Sequence, residues 1–176
     1  MKSEVLFVQG AGKDAHDRWD DKLVESLERE LGDGYAIRYP RMPEEDDPRS
    51  SAWNAALFRE FDSLEDGAIL VGHSVGGTIL IHALAERPPK RRLGAVVLLA
   101  APYVGEGGWS SDDVQPRTDF SEHLAVGVPV LLYHGAEDET VPVGHLHLYA
   151  KTIPHAVLRI LERSDHQLNK IGRAHV

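Results

Sequence analysis

"AILVGHSVGG", residues 68–77, runs four apolar side chains straight into a serine bracketed by glycines. An unbroken Ala-Ile-Leu-Val run suits a strand buried on both faces of a parallel sheet. Downstream, Ile79, Leu80, Ala83 and Leu84 recur at helical spacing until Pro88-Pro89 stops the helix. The segment therefore reads as strand, sharp turn, helix. At such a turn, side chains at positions 72 and 76 would collide where strand and helix come close, so both are glycine. Ser74 is lifted clear of the sheet at a helix N-terminus, where backbone N–H groups and the helix dipole favour developing negative charge.

The same alternation extends in both directions. Apolar runs at 5–9, 35–39, 95–99, 128–133 and 157–161 predict five further strands. Trp19, Leu23, Val24, Leu27 and Leu31 predict one helical face, ended by Gly32 as a C-cap. Trp53, Leu57, Phe61 and Leu64 predict a second helix after a Ser50-Ser51 cap signal, and 142–152 a helix before the last strand. Strands alternating with helices imply a three-layer α/β domain of about six mostly parallel strands with right-handed crossovers, spanning 1–176 as one unit. Two irregular stretches interrupt it: the acidic, proline-rich 40–49, and 102–127, which reads as a small lid or pocket wall.

Composition narrows the function classes. With 176 residues the chain is long enough for a continuous core. It has no cysteine, which excludes disulfides, thiolate catalysis and cysteine-based zinc sites. A formal net charge of −9 disfavours nucleic acid and anionic lipid as partners, and Lys90-Arg91-Arg92 reads as a solvated turn. The four apolar residues at 5–8 are too few for a signal peptide, and no run is long enough to span a bilayer, so a cytoplasmic location is expected.

A serine hydroxyl becomes a nucleophile when a base takes its proton, and the base needs an orienting acid. In a parallel sheet every strand's C-terminal end opens onto the same edge, so both partners should follow later strands. "HGAEDETVP" at 134–142 places Asp138 beyond one strand, and "ERSDHQLNK" at 162–170 places His166 beyond the last. Ser74, Asp138, His166 is the chain order of a nucleophile-elbow hydrolase. Other candidates rank lower. His134 is too near Asp138 in sequence to serve as the base, and His73 should pack beneath the turn. Asp112 and Asp113 are the runner-up acids; Glu137, Glu139 and the run 44–47 should be solvated. His145 and His147, two apart on a helix, point in different directions and make a poor metal pair. Trp19 and Trp109 serve either an acyl pocket or packing.

"GHSVGG" at 72–77, the Gly-x-x-Asp-x-x-Val-Pro pattern through Gly135, Asp138, Val141 and Pro142, and His166 after the last strand together resemble the α/β-hydrolase superfamily. The chain is similar to its compact serine hydrolases related to retinoblastoma-binding protein 9, over nearly its whole length. The resemblance implies a sheet without the superfamily's first two strands and a minimal or absent cap. It implies an oxyanion hole of two backbone N–H groups, from Val75 and from Ala11, with Gly12 the alternative to Ala11. It also implies that the strand at 5–9 lies directly beside the serine strand. One departure is that many relatives carry glycine just before the base, whereas this chain has Ser164-Asp165. The expected activity is cleavage of a small carboxylic ester or related acyl compound, with no cofactor or metal, by a monomer or small homo-oligomer. The alternatives are a thioesterase, amidase or peptidase with the same triad, and a non-catalytic binding protein on the same fold.

Overall fold

The computed structural model describes residues 1–168. Six strands, β1 (Ser3–Val8), β2 (Tyr35–Arg38), β3 (Ala68–His73), β4 (Leu93–Leu99), β5 (Val130–Gly135) and β6 (Val157–Leu161), form one sheet in the order β2-β1-β3-β4-β5-β6. Every pairing is parallel. Strand β5 lies two residues later than its sequence signal, so His134 is the penultimate strand residue rather than the first beyond it.

The helices are α1 (Asp20–Leu31), α2 (Ser50–Asp62), α3 (Val75–Glu86), the single turn α4 (Phe120–His123) and α5 (Gly144–Thr152). The chain steps from β1 outward to β2 and then back across to β3, so right-handed crossovers put α1 on one face and the other helices on the opposite face. Two apolar clusters match this division. Leu23 and Val24 of α1 pack with Val5, Phe7, Val71 and Leu99 on one side. Trp53, Leu57, Ile79, Leu80, Phe120 and Tyr149 fill the other with Leu6, Leu70 and Val96. The result is the predicted three-layer architecture.

Two local expectations are corrected. Trp19 does not belong to the buried face of α1; it closes a π-helical turn at Ala15–Trp19 and is 55% exposed. Ser50 and Ser51 do not precede α2 but form its first turn, and the Ser50 N–H is capped by the Asp113 carboxylate at 2.5 Å. That contact also places Asp113, a runner-up acid, at the N-terminus of α2. Within 102–127, Tyr103 donates to the Arg117 carbonyl and the Phe120 ring lies tilted beside Tyr149 with centroids 6.0 Å apart, with no cap over the sheet edge. Among the described residues no helix is long and apolar enough to cross a membrane.

Reversal of strand order between β1 and β3 creates the topological switch point of the sheet. Loops leaving these neighbouring strands diverge there and open a crevice at the C-terminal edge.

Candidate active site

Ser74 occupies the turn between β3 and α3 with φ 52° and ψ −131°, a region that costs about 1–3 kcal/mol for a residue with a side chain. Tight neighbours hold it there. A Cβ on Gly72 would sit 2.6 Å from the Gly77 Cα, and one on Gly76 only 1.9 Å from the Gln9 carbonyl oxygen. Both glycines are thus required by close backbone approach, Gly72 against its own helix as the spacing predicts and Gly76 against the neighbouring chain at Val8 and Gln9. The Ser74 N–H donates to the Leu99 carbonyl at 2.8 Å, tying the turn to the end of β4.

Asp138 and His166 arrive from the loops after β5 and β6. The Asp138 carboxylate is fully buried; its Oδ1 accepts the backbone N–H groups of Thr140 and Val141 at 2.9 and 2.8 Å. Its Oδ2 accepts His166 Nδ1–H at 2.8 Å. A carboxylate only accepts, so the imidazole proton lies on Nδ1 and Nε2 is left to take the Ser74 hydroxyl proton, 2.9 Å away. Burial depresses the His166 pKa below the ordinary imidazole value, and the nearby His73 adds to this against the pull of Asp138. The departure before the base does not displace it. The buried Ser164 offers its carbonyl to the Glu137 N–H at 3.0 Å and so anchors the base loop to the acid loop.

At the end of β1, the Gly10 N–H donates to Asp20 at 2.6 Å and the Gly12 N–H to the Glu45 carbonyl at 2.7 Å. Of the two alternatives in that turn, Gly12 is therefore engaged, while the Ala11 N–H has no partner among the described residues. Val75 is the first residue of α3, where no intrahelical acceptor exists for its N–H. Strands β1 and β3 pair directly, as the resemblance implies.

Sequence reasoning missed three polar residues that build this edge. Gln9, fully buried, receives the Met42 N–H at 2.8 Å and donates to Glu45 at 2.6 Å. Glu45, expected to be solvated, also accepts the His16 N–H at 3.0 Å and is a strut of the β1 turn. Asp20, at the start of α1, is 1% exposed and meets both Gly10 and His73. A buried polar partner of this kind leaves no periodic signal; the only hint is a glutamine closing an apolar strand.

Two of the remaining candidates, His134 and His145, have structural tasks. His134 donates through Nε2 to the Val141 carbonyl at 2.8 Å, bracing the acid loop. His145 accepts the Tyr103 N–H at 2.8 Å, which spends the ring on the fold. No group of three or more metal-ligating side chains occurs among the described residues. A cleft of about 420 Å³ opens above Ser74, with Ala11, Lys13, Trp19, Trp109, Thr140 and Gln167 among its walls. Its volume is ordinary for a small-molecule site. Trp109 is the one residue of 102–127 in that wall, so the segment contributes to the cleft through this side chain.

Residues 5–172 match the family described as serine hydrolase. The chain belongs to the serine hydrolase family. Solved structures place this serine hydrolase in the α/β-hydrolase fold. It is similar to the ydeN gene product of Bacillus subtilis at 20% identity and a TM-score of 0.74, over 97% of this chain and 91% of that one. It is also similar to Est1E of Butyrivibrio proteoclasticus, solved with ferulic acid bound, at 18% identity and a TM-score of 0.68 over 97% and 84% of the two chains. A serine hydrolase involved in carbazole degradation superposes with a TM-score of 0.71 at 14% identity, over 94% and 84%. No curated protein matches the chain.

Proposed function

We propose that this serine hydrolase cleaves a small carboxylic ester or related acyl compound through an acyl-enzyme on Ser74. The observation that carries the reading is the unbroken hydrogen-bond relay from the Ser74 hydroxyl through His166 to Asp138, at 2.9 and 2.8 Å. Ser74 Oγ attacks the acyl carbonyl while His166 Nε2 takes its proton. Asp138 holds the ring in the required tautomer and stabilises the imidazolium that forms. The carbonyl oxygen, now negative, is met by the Ala11 and Val75 N–H groups; losing one such donor costs about 3 kcal/mol of transition-state stabilisation. His166 returns its proton to the leaving oxygen, and then activates water to release the acyl group. This chemistry asks for no metal or cofactor. A sheet edge with no cap over it among the described residues supports a place among the compact hydrolases related to retinoblastoma-binding protein 9.

The test is hydrolysis of p-nitrophenyl acetate from about pH 5 to 8.5. His166 is active as the neutral base, so kcat/KM rises with pH and levels off once the ring is deprotonated. Because burial and His73 lower its pKa, the rise is centred below the ordinary imidazole value of about 6.5. A profile flat over this range contradicts His166 as base. Faster cleavage of a matched anilide than of the ester replaces the esterase reading with an amidase one.

A further inference from the structure

His73 sits inside the nucleophile turn, is 1% exposed, and has both ring nitrogens engaged. Its Nδ1 lies 2.8 Å from Asp20 Oδ1, and its Nε2 lies 2.9 Å from the main-chain carbonyl oxygen of His166. Both partners are acceptors. A neutral imidazole carries a single N–H and satisfies one of them, whereas an imidazolium satisfies both. Asp20 in turn accepts the Gly10 N–H on its other oxygen at 2.6 Å, so both of its oxygens are engaged. One buried pair therefore ties together three separate pieces of chain: the β1 turn, the serine turn and the base loop.

We infer that Asp20 and His73 form a buried carboxylate–imidazolium brace that positions His166 through its main chain and sets the charge environment of its ring. The inference rests on the catalytic reading of His166 and deepens it. The base otherwise sits on a loop after the edge strand β6 that is hydrogen-bonded to the acid loop, from His166 Nδ1–H to Asp138 and from the Glu137 N–H to the Ser164 carbonyl. The brace supplies a second fixed point, from the same turn that carries the nucleophile, so serine and base are held to a common frame.

Charge follows from the same geometry. The His73 and His166 ring centroids are 5.1 Å apart, and Asp20 lies on the Nδ1 side of His73, opposite the nitrogen that meets His166. The His73 ring thus adjoins His166 directly, while Asp20 is held on its far nitrogen. The titratable groups facing His166 are Asp138 beyond β5, His134 behind Asp138, and His73; those facing His73 are Asp20, His166 and, farther off, Asp138. Burial opposes a charge on His73, but Asp20 and the His166 carbonyl outweigh it and raise its pKa.

Asp20→Asn separates charge from geometry. The new amide oxygen accepts the Gly10 N–H, its NH₂ donates to His73 Nδ1, and the His73 Nε2–H bond to His166 remains. The imidazole becomes neutral. With a neighbouring positive charge gone, His166 binds a proton more readily, and its midpoint moves up. The experiment is long-range ¹H–¹⁵N NMR of the imidazoles in the wild type and Asp20→Asn, assigned with His73→Gln and His166→Gln. Expected are a doubly protonated His73 in the wild type at neutral pH and a His166 midpoint higher by about half a unit or more in Asp20→Asn. A singly protonated His73 in the wild type overturns the brace, even where the variant fails to fold. So does an unmoved His166 midpoint in a folded Asp20→Asn. Fluorophosphonate labelling of the same samples keeps the two claims apart. A folded wild type that resists the probe removes the catalytic reading, while the His73 spectrum still decides the brace.

Discussion

Asp138→Asn is expected to lower kcat by about 10⁴ while leaving the fold intact. The carboxylate is shut away from solvent, with one oxygen held by the Thr140 and Val141 N–H groups and the other facing His166 Nδ1. An amide keeps its oxygen toward the two backbone donors and so turns its NH₂ toward His166. The imidazole then accepts at Nδ1 and carries its proton on Nε2, where it cannot take the serine proton. The loss corresponds to about 5.5 kcal/mol of barrier, at about 1.36 kcal/mol per tenfold. Steady-state turnover of p-nitrophenyl acetate, with circular dichroism as the folding control, checks it. A fall of less than tenfold would mean that Asp138 is not the orienting acid.

Gly76→Ala carries the largest expected effect on stability. At most helical positions alanine is favoured over glycine by about 1 kcal/mol. Here the added methyl would lie 1.9 Å from the Gln9 carbonyl oxygen and 2.8 Å from that of Val8. Val8 ends β1 and Gln9 follows it; β1 lies between β2 and β3 and cannot withdraw without breaking ladder hydrogen bonds. Steric exclusion therefore wins over propensity. The expected destabilisation is about 4 kcal/mol or more, a fall in Tm of about 8–16 °C for a chain of this size, or no soluble protein. Gly144→Ala is the control: it opens α5 with nothing within 4 Å of its added methyl, and its Tm should stay within about 2 °C. A Gly76→Ala protein as stable as that control would mean that the turn does not approach β1 as described.

These two residues also mark what the sequence makes legible. Gly76 and Asp138 declare themselves through short patterns: a strand-to-helix turn needs small residues at set offsets, and Asp138 falls just past an apolar run within the spacing of Gly135, Val141 and Pro142. Strand number, layer arrangement and the ordering of Ser74, Asp138 and His166 follow from the same short-range patterns. Asp20, Gln9 and Glu45 do not declare themselves. Each is polar, each would pass for a solvated or strand-end residue by periodicity, and each is placed by contacts from segments about 10 to 50 residues away. Trp19 shows the converse error. Its spacing fits the apolar face of α1, but the π-helical turn before that helix rotates it out to the cleft. Asp113 is the third kind, a cap supplied from 63 residues away in place of the adjacent serines.

The most direct test of the central claim is fluorophosphonate labelling of the purified protein, with Ser74→Ala and His166→Ala alongside. The hydrogen-bond relay predicts covalent labelling of the wild type at one residue, Ser74, with labelling lost in Ser74→Ala and nearly abolished in His166→Ala. A folded wild type that takes no label, or one labelled equally in the Ser74→Ala variant, would contradict the assignment of Ser74 as an activated nucleophile.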